Sequence, residues 1–194
     1  MKTHFLLAIL FLVVVSCKKS DDENSNESFI TLNVKNVYIE NPQVPTGTDC
    51  TNDGTTISCW RDLIITDGTY KQSPTDNIFY PNEDVTYRIN FLDLQLLGDL
   101  STPVTLEQHF NSETGNYSNQ GMEGIIFYTS IVVENGNILS SDDLTETQGY
   151  VRFTVISENN FSFEIELLNG TIYRGNYSGQ INILDQEYSF APFD

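Results

Sequence analysis

Histidine is almost missing from this chain. His4 and His109 are its two histidines. Nucleophilic triads and dyads need a base held by an orienting group. His4 lies in an apolar leader, His109 in the polar stretch Glu107–Asn111, and no G-x-S-x-G element accompanies either. Histidine-built zinc and iron sites lack their ligands for the same reason. Glycine-rich phosphate loops of the G-x-G-x-x-G and Walker types are absent too. Basic side chains are few: 9 Lys and Arg stand against 27 Asp and Glu, a formal net charge of −18. A surface of that sign repels phosphate backbones, so nucleic acid is not an expected partner, and anionic lipid offers no direct attraction. Helical periodicity is nearly absent. Thr102-Pro103 capping Val104–Phe110, and one turn over Asp142–Thr147, are the two short helical candidates. Together these absences predict a protein that is not an enzyme and carries no cofactor and no metal.

The longest apolar run, Phe5–Val15, has 11 residues. A permanent bilayer span needs about 20, so the run reads as a secretory h-region behind the positive Lys2. Ser16-Cys17 closes it, and Ser20-Asp21-Asp22-Glu23 follows closely. The small residue before a cysteine resembles a bacterial lipobox. The acidic segment behind it resembles that of Bacteroidota-type outer-membrane lipoproteins. The resemblance implies a signal peptide over residues 1–16, an acylated Cys17, and a lipid anchor in the outer membrane with the chain facing the cell surface; a periplasm-facing anchor is the alternative. Multiple acyl chains hold where one does not. Residues 18–28 contain no apolar side chain, so 17–28 reads as a disordered acidic tether of about 20 Å r.m.s. span.

With Cys17 assigned to acylation, Cys50 and Cys59 remain, an even pair in an exported protein. They flank Thr51–Ser58, where Asp53-Gly54 marks a turn. A structural disulfide is expected there, contributing roughly 2–3 kcal/mol by loop closure.

Residues 29–194 read as strands and turns. Ile30, Leu32 and Val34 alternate with polar neighbours, as do Val85, Tyr87, Ile89 and Phe91; Val151, Phe153 and Val155; and Phe161, Phe163, Ile165 and Leu167. Ile125–Val133 is apolar apart from Thr129 and Ser130, the pattern of a strand covered on both faces. Asn169-Gly170 predicts a type I′ hairpin turn; Ser157–Asn160 and Asn135-Gly136-Asn137 predict further hairpins. Residues 41–56 and 67–84 read as loop-like insertions. Gly175 and Gly179 share a strand face with Tyr173 and Tyr177, as in coiled sheets and small barrels. The fold class predicted is all-β: a single antiparallel meander of about eight or nine strands, closed as a barrel or stacked as a sandwich. The run Gly149–Phe153, Phe161–Ile165, Asn169-Gly170 and Gly175–Gly179 resembles Bacteroidota lipoproteins with a lipocalin-like domain. The resemblance spans residues 85–184, implies the barrel, and transfers no functional residue.

Carboxylates are abundant, but Glu164 and Glu166 alternate with Phe163 and Ile165 and so belong to a wet face. Asp49-x-Thr51-x-Asp53-Gly54 opens like a calcium loop, yet Trp60 stands where the bidentate Glu belongs. Asp142-Asp143 and Glu83-Asp84 are weaker calcium candidates. Trp60, Tyr70, Phe79 and Tyr80 are the binding candidates, because rings in polar loops stack on sugars or anchor partners; the competing reading is that they complete the core. The expectation is a tethered, non-catalytic binding module for an extracellular glycan, apolar small molecule or protein. The alternatives are a structural or assembly accessory of an outer-membrane complex and, last, a carboxylate hydrolase.

Overall fold

The computed structural model describes residues 29–40, 50–52, 57–97, 102–184 and 189–192. The chain enters through β1 (Phe29–Asn33), β2 (Asn36–Glu40), β3 (Cys50–Asn52) and β4 (Ile57–Thr66). A small hairpin follows, β5 (Tyr70–Gln72) and β6 (Ile78–Pro81). Next come β7 (Arg88–Leu97), β8 (Val104–Asn111), β9 (Asn116–Gln120), β10 (Gly124–Glu134) and β11 (Asn137–Asp143). A single 3-10 turn, Thr145–Thr147, leads to β12 (Gln148–Ser157), β13 (Asn160–Leu167) and β14 (Ile172–Ser178). Two short strands finish it, β15 (Asn182–Leu184) and β16 (Ser189–Phe190).

These strands form three sheets. Sheet A has the order β1-β14-β13-β12-β8-β9. Sheet B runs β11-β10-β7-β4-β2-β15, with β3 also paired to β4. Sheet C is β16-β6-β5. Sheets A and B face each other across the main core. Phe91 of β7 meets Phe153 of β12 at 5.0 Å and Phe163 of β13 at 5.7 Å, and Phe127 of β10 meets Tyr173 of β14 edge-on at 5.0 Å. Burying each such ring contributes roughly 2–3 kcal/mol. The far face of sheet B carries a second cluster, Tyr38, Ile64, Ile131 and Leu184, which sheet C covers with Tyr70, Phe79 and Phe190. Val37 therefore points to one core and Tyr38 to the other, and Leu63-Ile64-Ile65 is buried throughout. Two-sided cover explains the nearly continuous apolar reading of these strands.

Among the described residues the sheets are open, with β1 and β9 at the edges of A and β11 and β15 at those of B. The predicted closed barrel is thus corrected to three open sheets. The predicted all-antiparallel meander is corrected too: β1 pairs β14, β15 pairs β2 and β16 pairs β6 in parallel. The local hairpins β8–β9, β10–β11, β12–β13 and β13–β14 are antiparallel. Val104–Phe110 is strand, not helix. It is hydrogen-bonded to β12 on one side and β9 on the other, and Leu106 and Gln108 alternate inward. Two sheet neighbours outweigh a cap signal. The segment 67–84 is not merely a loop, since it supplies β5 and β6.

The turn chemistry is exchanged between two hairpins. Asn135 (φ 53°) and Gly136 (φ 79°) form the type I′ turn, joining Glu134 to Asn137. At Asn169-Gly170 only the glycine is left-handed (φ 83°), and its N–H donates to the Leu167 carbonyl at 2.9 Å. The turn is centred one residue earlier than predicted, with Gly170 as the bulge residue. Left-handed Ser130 (φ 52°) and Asp93 (φ 48°) mark irregularities in β10 and β7. The break in β10 lets Phe127 face one core and Ile131 the other. The irregularity in β7 keeps Phe91 and Leu94 both on the main core. Gly175 lies opposite Phe163 in register, and a Cβ there would collide with that ring.

Candidate binding groove

The β5–β6 hairpin is held by its own polar residues. Asp76 accepts the Ile78 N–H at 3.1 Å and the Tyr80 hydroxyl at 3.3 Å. Left-handed Asn77 (φ 56°) tightens the bend, and the Ser73 N–H donates to the Ile78 carbonyl at 2.8 Å. Asp84 secures the base, accepting the Thr69 N–H at 3.0 Å and hydroxyl at 3.2 Å. Hydrogen bonds from the Ser73 hydroxyl, the Ile78 N–H and Tyr80 hold the Asp76 carboxyl below its ordinary range. Partial desolvation, then the Asp76 carboxylate, raise the Tyr80 phenol, so it stays a neutral donor.

A groove of about 460 Å³ opens between this hairpin and the Asn135-Gly136 turn. Its wall includes Tyr80, Lys71, Gln72, Asn82, Asn135 and Asn137. That volume lies in the range of roughly 300–1,000 Å³ of small-ligand sites. Among the described residues that line it there is no Asp or Glu, although the chain carries 27 of them. Among the described residues one aromatic ring, several amides and one cation line the groove, with the Asp76 carboxylate behind the ring's hydroxyl. Amides donate and accept at once, which suits ligands whose hydroxyls do the same.

The four predicted binding aromatics are separated. Tyr80 lines the groove. Tyr70 and Phe79 sit between sheets B and C, where Phe190 stacks on Phe79 at 5.1 Å and meets Tyr70 edge-on at 5.0 Å. Trp60 is half-buried on β4 opposite Gln95, four residues from Ile64, or about 13 Å by strand rise. Cys50 lies directly opposite Cys59 in the β3–β4 register; their side chains, like Cys17, the leader, the tether, Asp49 and Asp53, lie outside the described residues. His109 is exposed on sheet A, its ring 4.5 Å from that of Tyr150 and its Nε2 3.5 Å from Glu107. Asp143 accepts the Thr145 N–H at 2.8 Å and Asp84 caps Thr69, so both carboxylates already serve turns. Among the described residues no group of three His, Cys, Asp or Glu is placed to hold a metal.

Sequence reading missed Arg88, which alternation assigned to the wet side of its strand. It is 5 % exposed. Its Nη1 donates to the Ala191 carbonyl at 3.0 Å, and its guanidinium stands 5.8 Å from the Phe190 ring centre and 5.9 Å from that of Tyr128. Burial depresses its pKa, with Tyr70 acting in the opposite sense; arginine nevertheless stays charged in proteins. Burial pushes Tyr70 up to about 12 against the pull of Arg88. A second missed group is acidic. Asp62 accepts the Asp93 N–H at 2.9 Å, and Glu123 adjoins Asp93, which raises the Glu123 pKa by hydrogen bonding and repulsion. Neither group carries a signal in the linear sequence, because the layers that make them come from distant segments. Comparison with family models, curated proteins and solved structures returns no match.

Proposed function

We propose that this chain is a tethered, non-catalytic, sandwich-like binding domain whose groove beside Tyr80 takes a neutral glycan segment. One observation carries the reading: the groove joins a tyrosine ring to several amide side chains, with no carboxylate among its described lining residues. A ring presents an apolar face to sugar C–H groups, while Gln72, Asn82, Asn135 and Asn137 offer paired donors and acceptors to hydroxyls. The leader and Cys17 support a lipid anchor that holds the groove outside the cell. The test is binding to an immobilised panel of neutral oligosaccharides. Tyr80→Ala should weaken the best binder by about tenfold or more, the loss of one stacking contact, with unchanged circular dichroism. A wild-type protein that binds none of the panel, or a Tyr80→Ala protein that binds as well, overturns the reading.

A further inference from the structure

The chain has four arginines. Arg61 and Arg88 are buried. The other two, Arg152 and Arg174, have side chains 49 % and 43 % exposed, and both line one groove of about 320 Å³ on the outer face of sheet A. Strand register explains the meeting. Glu107, Arg152, Glu164 and Arg174 are successive cross-strand partners on β8, β12, β13 and β14. They form a ladder of alternating charge across the sheet. One step along the strands, Thr105, Thr154, Ser162 and Asn176 form a parallel row of short polar residues. Thr154 and Ser162 line the groove with the two arginines.

The ladder's hydrogen bonds leave donors over. Arg152 Nε donates to Glu107 at 2.9 Å and Arg174 Nε to Glu164 at 2.6 Å. Each guanidinium has five N–H donors, and each of these bonds uses one. Glu107 is well supplied: it also accepts the Tyr150 hydroxyl at 2.6 Å and lies 3.5 Å from His109. Those bonds, from Tyr150 and then Arg152, keep its carboxyl ionised and below its ordinary pKa. The remaining Nη groups match the planar, two-oxygen geometry of an oxyanion, and the Ser162 hydroxyl adds a donor at the same groove, while the Thr154 hydroxyl pairs with that of Thr105 at 3.3 Å.

We propose that this groove is a binding site for the oxyanion of an acidic saccharide, separate from the Tyr80 groove and independent of its reading. Carboxylate of a uronic acid and sulfate ester share the required chemistry. Glu164 gives the proposal a signed test, because it occupies Arg174 and repels an incoming anion. Calorimetry on the full chain should use an oligogalacturonate, a sulfated oligosaccharide and inorganic sulfate as separate probes. One of the two saccharides should bind, and which one identifies the source. Arg174→Gln and Arg152→Gln should each weaken it about tenfold, the loss of a charge-assisted contact. Glu164→Gln should strengthen it severalfold. Ser162→Ala, a change of one hydroxyl on a wet face, should weaken binding while leaving the fold untouched. Failure of wild type to bind either saccharide overturns the site. So does weakening by Glu164→Gln to the level of Arg174→Gln, the behaviour of a neutral diol site. Equal affinity for inorganic sulfate alone overturns the saccharide assignment.

Discussion

Arginine is used in two opposite ways on the two outer layers. On sheet A, Arg152 and Arg174 stand half exposed, each with a carboxylate partner on the next strand. Beneath sheet C, Arg88 is buried among Tyr70, Tyr128 and Phe190 and bonds a backbone carbonyl. The first arrangement looks stronger on paper and stabilises less. Exposed ion pairs contribute about 0–1 kcal/mol, since water competes for both partners. A buried cation has lost its water, so everything around it has become obligatory. Sheet A's ion pairs can therefore change at little cost to stability, whereas the Arg88 layer is committed to holding the fold.

Removing each kind of arginine separates these roles most sharply. Arg88→Ala should destabilise by about 3 kcal/mol, through the emptied space, the Ala191 carbonyl left without this donor, and the lost ring contacts. It should also loosen β16 and the residue after it, since Phe190 and Ala191 lean on that side chain. Arg174→Gln should cost less than about 1 kcal/mol. Urea midpoints of the two variants measure the contrast. Equal losses would mean that the two layers are energetically alike.

Tyr70 sharpens the same contrast with a pH axis. Its folded pKa is pushed up to about 12, burial being the main cause, from an ordinary 10.0. The folded state then holds a proton that the unfolded chain releases. Its contribution is complete below about pH 10 and is lost as pH rises toward about 12, by about 2–3 kcal/mol. Tyr70→Phe removes that loss, so its alkaline unfolding midpoint should lie above that of wild type. Tyr150, also raised to about 12 but far less buried, should change the alkaline limb much less when replaced by Phe, because solvent screens it. Alkaline titration followed by circular dichroism distinguishes the two.

Why Arg88 escaped sequence reading while the ladder's neighbours did not is a matter of distance along the chain. Alternation in β12 and β13 fixes which side of each strand is wet, because one face packs on sheet B and the other meets water. The same alternation in β7 misleads, because its polar-looking side is covered by residues 70–81 and 189–192. Such cover is non-local, as are the parallel pairings of β1, β15 and β16, and no window of neighbouring residues reports it. That is also why three open, partly parallel sheets carry the linear pattern of a single antiparallel meander, closed as a barrel or stacked as a sandwich. Local errors have local causes: Val104–Phe110 carries a cap signal but gains two strand partners, and the two Asn-Gly steps differ in whether the asparagine turns left-handed along with the glycine. Of the candidate groove, Tyr80 was legible as a ring in a polar segment. Asn135 and Asn137 were legible as a hairpin, not as a wall, since only the fold brings that turn beside β5 and β6.

The smallest expected effect comes from the acids of the β7 irregularity, which belong to neither layer's arginines. Asp93, Asp62 and Glu123 meet where β7 departs from regular register. Asp93 raises the Glu123 pKa above its ordinary 4.5. A carboxyl whose folded pKa is raised contributes stability that is present below the unfolded value and is lost as pH climbs through the folded one. Around neutral pH the wild type therefore carries an unrelieved repulsion at this irregularity. Glu123→Gln removes the charge and retains a hydrogen-bonding group. It should raise the melting temperature slightly at pH 7 and change it less at pH 4, below the group's ordinary 4.5, where protonation relieves the repulsion. Screening by water keeps the gain small, and added salt should shrink it further. An equal gain at both pH values would place the cause in packing, and a loss at pH 7 would show that the ionised Glu123 supports the turn between β9 and β10.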